Sequence, residues 1–166
     1  CWKIDKCDYV GCHEGEYIKK IIQNDYKSFD RISHIMLSEI NKKRLSYKYQ
    51  DVKKNRYDPT QFILLEHILQ AMVQCALICR YCNQTMIVLY DISREMLQWS
   101  VDRFHNDSGH NFNNFHLACL QCNLKRRCCT DEKFYFTKHL HLIKSMDIYK
   151  ENEMEENEME ENETQK

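Results

Sequence analysis

Two stretches of the chain carry apolar residues at helical spacing. In KSFDRISHIMLSEINKKRLS (27–46), Phe29, Ile32, Met36 and Ile40 fall on one helix face. In residues 58–76, Phe62, Leu65, Leu69, Met72, Val73 and Ala76 form a stripe at i, i+3, i+4 and i+7. Asp58-Pro59 would open that helix, with an N-cap aspartate and proline at the first helical position. The pattern predicts two helices that pack on each other, with His34 and His67 as ordinary helix-face residues.

Beyond residue 76 the period changes. TMIVLY (85–90) is β-branched and aromatic, as a short strand is. QWSVD (98–102) alternates, with Trp99 and Val101 on one face and Ser100 and Asp102 on the other. Joined through DISREML, the two predict a hairpin. FHLACLQCNLKRRC reads as a helix with a basic end, and KFYFTKHLHLIKSM as a final strand or helix. The expected class is α+β: a mainly helical region over 1–76, a mixed domain over 77–150, and a tail over 151–166.

Composition narrows the setting. The 166 residues hold only three Gly and one Pro, which disfavours a turn-rich all-β sandwich. The longest apolar stretch, QFILLEHILQAMVQCALIC, is broken by Gln, Glu and His, so neither a signal peptide nor a membrane span is expected. Ten cysteines without a secretory leader imply a reducing intracellular setting, cytoplasmic, nuclear or viral, where thiols bind metal or stay free. A start at Cys1 rather than Met suits a fragment or a truncated gene reading.

The net charge of −1 conceals an asymmetry. Removing the eight Glu and one Lys of residues 151–166 from the chain's 25 acidic and 24 basic residues leaves 17 and 23, a net of +6 over residues 1–150. A basic body points to a polyanionic partner. The tail ENEMEENEMEENETQK repeats a five-residue acidic unit and lacks large apolar side chains, so it is expected to be disordered. Its alternative role is an acidic mimic competing for the basic face.

Cys79-x2-Cys82 and Cys119-x2-Cys122 are separated by 36 residues. One such knuckle presents two thiolates on one side of a tight turn, and two complete a tetrahedral sulfur site suited to Zn²⁺. With four protein ligands that zinc would be structural. Cys1, Cys7, Cys12 and His13 offer a less regular second metal site. Cys75 and the vicinal Cys128-Cys129 have no evident partner.

Between the knuckles stand Trp99-Ser-Val-Asp-Arg103, Asn106, Gly109-His110, Asn114 and then Cys122-Asn123. With the cysteines, this order resembles the zinc-containing HNH endonucleases of phages and large DNA viruses, which have the ββα-metal fold. The resemblance covers residues 79–127. It implies DNA as partner and phosphodiester hydrolysis with catalytic Mg²⁺ or Mn²⁺ held by Asp102 and Asn123, hard oxygen donors that suit such ions. It also implies that Asn114 steadies the loop carrying the base.

The chain departs from many HNH enzymes at Arg103, where they carry a histidine base. Arginine stays protonated and cannot take a proton from water, although its fork can hold phosphate. The base is therefore open between His105, nearer Asp102 in sequence and slightly favoured, and His110, at a position where the family also accepts tyrosine. His116, within the expected helix, reads as a packing or surface residue. Lys125, Arg126 and Arg127 would meet DNA phosphates from the basic helix end. The competing readings are a zinc module that binds nucleic acid without cutting it, and a protein-interaction domain. Asp102, Asn106, Asp107 and Asn114 would then merely cap turns and helices.

Overall fold

The computed structural model describes residues 14–23 and 31–140. The acidic tail, the Cys1/Cys7/Cys12/His13 group and Phe29 lie outside the described residues. Three helices precede a two-stranded antiparallel sheet: α1 (Glu14–Ile22), α2 (Arg31–Lys53) and α3 (Leu65–Gln74) lead to β1 (Trp99–Asp102) and β2 (His116–Cys119). A short helix α4 (Leu120–Arg126) follows β2 directly, and residues 131–140 form a further helix, α5. The last segment is therefore helical as far as residue 140. None of the described helices is long and apolar enough to cross a membrane.

The helices form where apolar residues recur every three or four positions. Ile18 and Ile21 of α1, Met36 and Ile40 of α2, and Ile68, Leu69 and Met72 of α3 are all buried. Both α2 and α3 pack on α1, and they also touch each other. The same hydrophobic cluster continues into Tyr81, Met86, Val88, Leu89, Trp99, Val101 and Leu117 around the hairpin.

α3 starts later than the Asp58-Pro59 signal suggests. The Asp58 carboxylate accepts from the Thr60 amide at 2.8 Å and the Thr60 hydroxyl at 2.6 Å, so it closes a turn rather than capping a helix. Gln61 and Ile63 then exchange backbone hydrogen bonds with Phe112 and His110, and helix begins only at Leu65. Phe62 consequently lies outside the helix, Val73 is exposed, and Ala76 sits beyond the helix end with φ of 49°.

The strand pairing also differs from expectation. TMIVLY makes only isolated bridges at Thr85 and Ile87, because its next two amides, Val88 and Leu89, donate to the buried Glu14 carboxylate at 2.9 and 2.8 Å. A side chain from α1 has taken the place of a partner strand. Burial pushes the Glu14 carboxyl up to about 7 despite these two donors. The true partner of β1 is His116–Cys119, a segment whose composition reads as helix. Its register pairs Trp99 with Cys119 and Asp102 with His116.

The alternation along β1 is as expected. Trp99 lies under the Lys43 ammonium of α2, while the Ser100 and Asp102 side chains are met by Asn123 and Arg126 of α4. Both faces are covered, so all four β1 residues are buried.

Candidate metal centre and cleft

The Cys79–Cys82 turn and the β2–α4 junction bring four sulfurs within 4.8 Å of one another. Asn83 takes φ of 56° to close the first knuckle, where its amide donates to the Cys79 carbonyl at 3.1 Å. Cys119 is the last residue of β2, and Cys122 lies in the first turn of α4. The Cys82 and Cys119 sulfurs are 3.8 Å apart. Four sulfurs around a cation at about 2.3 Å would be spaced by about 3.8 Å.

The Cys119 amide also donates to the Cys79 sulfur at 3.3 Å, stabilising a thiolate there. Contacts with Cys119 and Cys122 hold the Cys79 thiol far below its usual range, and contacts with Cys119 and Cys79, then burial, push Cys122 far above it. Four sulfurs this close cannot all ionise without a cation among them. The cluster can hold a metal ion.

The other end of the hairpin is charged. The Asp102 carboxylate is buried, and one oxygen accepts from Arg126 Nη1 at 2.6 Å and from the Arg103 amide at 3.0 Å. Its second oxygen accepts from the Tyr81 hydroxyl at 2.7 Å and lies 3.4 Å from His116 Nε2. Tyr81 is itself an inner residue of the first cysteine knuckle. It also contacts Asp131 at 2.9 Å and His116 Nε2 at 2.9 Å. Burial, reinforced by the Asp102 charge, pushes the Tyr81 phenol far above its usual range, so it remains a donor. Neighbouring Arg80 forks onto Asp131 at 2.9 and 3.2 Å.

Asn123 lies one turn of α4 before Arg126. Its Nδ2 donates to Ser100 Oγ at 3.1 Å and to the Val101 carbonyl at 3.2 Å. The amide is thereby oriented, and its Oδ1 accepts no hydrogen bond among the described residues. Asn114 ties together the loop after β1. Its Oδ1 accepts from the His105 amide at 2.8 Å, and its Nδ2 donates to the His105 and Gly109 carbonyls at 3.0 Å.

The two candidate histidines differ sharply. The His105 ring is exposed, and only its main chain is held. His110 is buried against α2, where its amide donates to Asp51 at 2.7 Å and its Nδ1 meets the other Asp51 oxygen at 2.8 Å. Its ring stacks on Tyr47 with centroids 4.6 Å apart. Gly109 permits this approach, because a Cβ there would lie 2.4 Å from the Arg56 carbonyl oxygen.

A cleft of about 700 Å³ joins these groups, lined by Asp102, Arg103, His105, His110, Asn123 and Arg126. Lys54 and Arg56 from the end of α2, and Arg127 from the end of α4, make its rim basic. Of the basic residues expected on α4, Lys125 is exposed but does not line the cleft, and Arg127 is exposed along it. Arg126 is buried, with its guanidinium committed to Asp102 and the Phe104 carbonyl, so it is a counter-ion rather than an exposed phosphate contact. His116 belongs to β2 and to the buried network, not to a helix surface.

Sequence reasoning passed over Tyr81, Asp131 and Asp51. Tyr81 was hidden as a variable position inside a knuckle. Asp51 continues the buried stripe of α2 through Met36, Ile40 and Tyr47, but a search for apolar residues stops short of it. Neither a family model, nor a curated protein, nor a solved structure matches this chain.

Proposed function

We propose that the chain is an HNH-type DNA endonuclease, stapled by a structural zinc on Cys79, Cys82, Cys119 and Cys122. The observation that carries this reading is the pairing of Asp102 at the end of β1 with an oriented Asn123 on α4, at one basic cleft that also holds two histidines. The strand–strand–helix order agrees with the resemblance noted in the sequence. The sulfur spacing and the soft donor set favour zinc at the closed tetrad.

Asp102 and Asn123 would hold Mg²⁺ or Mn²⁺, which when bound supplies charge stabilisation to the leaving oxygen. The donor set fits in part. Asn123 offers a free amide oxygen, whereas Asp102 already carries three hydrogen bonds out of the roughly four a carboxylate can accept. Lys54, Arg56 and Arg103 grip the DNA backbone by charge. A histidine in the cleft accepts the proton of the attacking water.

Plasmid nicking with Mg²⁺, Mn²⁺ or EDTA, comparing wild type with Asp102→Ala and Asn123→Ala, tests the reading. Metal-dependent nicking lost in both variants supports it. Folded, zinc-loaded wild type that nicks with neither metal overturns it. The Arg126–Asp102 ion pair favours a second reading, a zinc module that binds nucleic acid without cutting it. Salt-sensitive DNA binding without cleavage would select that one.

A further inference from the structure

We propose that Asp51 of α2 is a positioning residue that fixes His110 in its Nδ1–H tautomer and presents Nε2 to the cleft as the proton acceptor. This rests on the nuclease reading and decides between its two histidines. α2 lies outside the segment that carries the HNH resemblance, so the assignment comes from the packing alone.

Both oxygens of the buried Asp51 carboxylate are spent on one residue, the His110 amide and the His110 ring. Two bonds fix the loop and the imidazole together, and stacking on Tyr47 sets the ring plane. A carboxylate accepts, so Nδ1 carries the proton and Nε2 keeps its lone pair. No described residue bonds Nε2, and His110 lines the cleft. His105 has no comparable support, since its ring is exposed and makes no hydrogen bond among the described residues.

The titratable and charged groups facing His110 are Tyr47, Asp51 and Lys54 from α2 and its end, and Arg103 from the loop after β1. Burial holds the imidazole below its usual value; Asp51 opposes that, and the two cations add to it. The ring is therefore neutral and able to accept a proton at neutral pH. In the step itself, Nε2 takes one proton from water as the water oxygen bonds to phosphorus. The bond from phosphorus to the leaving sugar oxygen breaks, and that oxygen takes a proton from solvent. The products are a phosphomonoester and a hydroxyl, and His110 returns its proton to bulk water.

The test uses the full, zinc-loaded chain. Asp51→Asn can turn its amide NH₂ toward Nδ1 and select the wrong tautomer, so kcat for nicking is expected to fall about 10³-fold. Affinity for the same duplex should not weaken. The acid limb of the pH–rate profile should move to lower pH, because the group that raises the His110 pKa is gone; a purely structural lesion would scale the profile without moving it. Wild-type kcat and profile in a folded Asp51→Asn overturn the proposal, as does a larger loss in His105→Ala than in His110→Ala. Nitrogen-15 NMR of the His110 ring in wild type at pH 7.5 gives a reading independent of cleavage. A protonated Nδ1 with a bare Nε2 supports the dyad, and a protonated Nε2 overturns it even if Asp51→Asn does not fold. A wild-type chain that cuts nothing counts against the nuclease reading, while the tautomer still decides the dyad.

Discussion

The two ends of the β1–β2 hairpin lie about 10 Å apart along the strands, yet they solve opposite problems. At the Trp99–Cys119 end, four soft sulfurs close to within 4.8 Å of one another, as many donors as a tetrahedral ion takes. At the Asp102–His116 end, hard oxygens and cations meet at a cleft open to solvent. The first end gets its geometry from short sequence spacings, and its four sulfurs could hold a cation among them. The second borrows its parts from α2, the first knuckle, α4 and α5, and already balances its buried charge internally. Local chemistry holds the fold, and long-range packing builds the site.

The sharpest way to break the contrast is to remove the sulfur end. Structural zinc in small domains contributes an apparent ~10–16 kcal/mol. Chelation, or Cys122→Ser, is expected to abolish the cooperative thermal transition of the hairpin and α4. Circular dichroism melting together with metal analysis checks this, with the zinc held by the tetrad expected to be lost in Cys122→Ser and retained in Asp102→Asn. Next comes the counter-ion at the open end. Arg126→Ala leaves Asp102 buried without its cation and should cost about 3–5 kcal/mol in urea unfolding. Adding Asp102→Asn should recover part of that loss, because the stranded charge is then gone.

A smaller effect separates the ends by pH. Lys43 docks α2 at the sulfur end, donating to Gln98 Oε1 at 2.7 Å and to the Trp99 carbonyl, and burial pushes its ammonium down to about 7. Above that value the folded chain binds fewer protons than the unfolded one, until pH passes the ordinary 10.5. Stability should therefore rise with pH in that window, by up to about 2–3 kcal/mol between pH 7 and 9. Lys43→Met should flatten the rise, as read by denaturant midpoints across that range. The smallest expected effect is Tyr81→Phe, which deletes the hydroxyl between Asp102, Asp131 and His116 and should cost about 1–2 kcal/mol. A cost at the level of Arg126→Ala would mean that the two ends are less separate than the hairpin implies.

What the chain made legible follows the same divide. Cys79, Cys82, Cys119 and Cys122 could be grouped from spacing, because a knuckle is a local structure. The β1 alternation was readable for the same reason. HLAC was not, since four residues that run straight into a helix become a strand only through pairing with Trp99–Asp102. TMIVLY has strand composition, but a carboxylate from α1 claims its amides. Beyond Ile40, α2 meets its neighbours through polar side-chain tips. Lys43, Tyr47 and Asp51, four residues apart, meet Trp99, Val101 and His110 in turn. Apolar periodicity cannot detect a helix that docks through polar tips.

Tyr81 gives the hairpin's two ends a common fate. Its backbone belongs to the turn that positions Cys79 and Cys82, and its hydroxyl belongs to Asp102. Whatever ties the knuckle down would also help to order that carboxylate, and such a coupling free energy is reciprocal. A cation held by the sulfurs would therefore favour the ordered carboxylate, and engagement of Asp102 in the cleft would raise affinity at the sulfurs by the same factor.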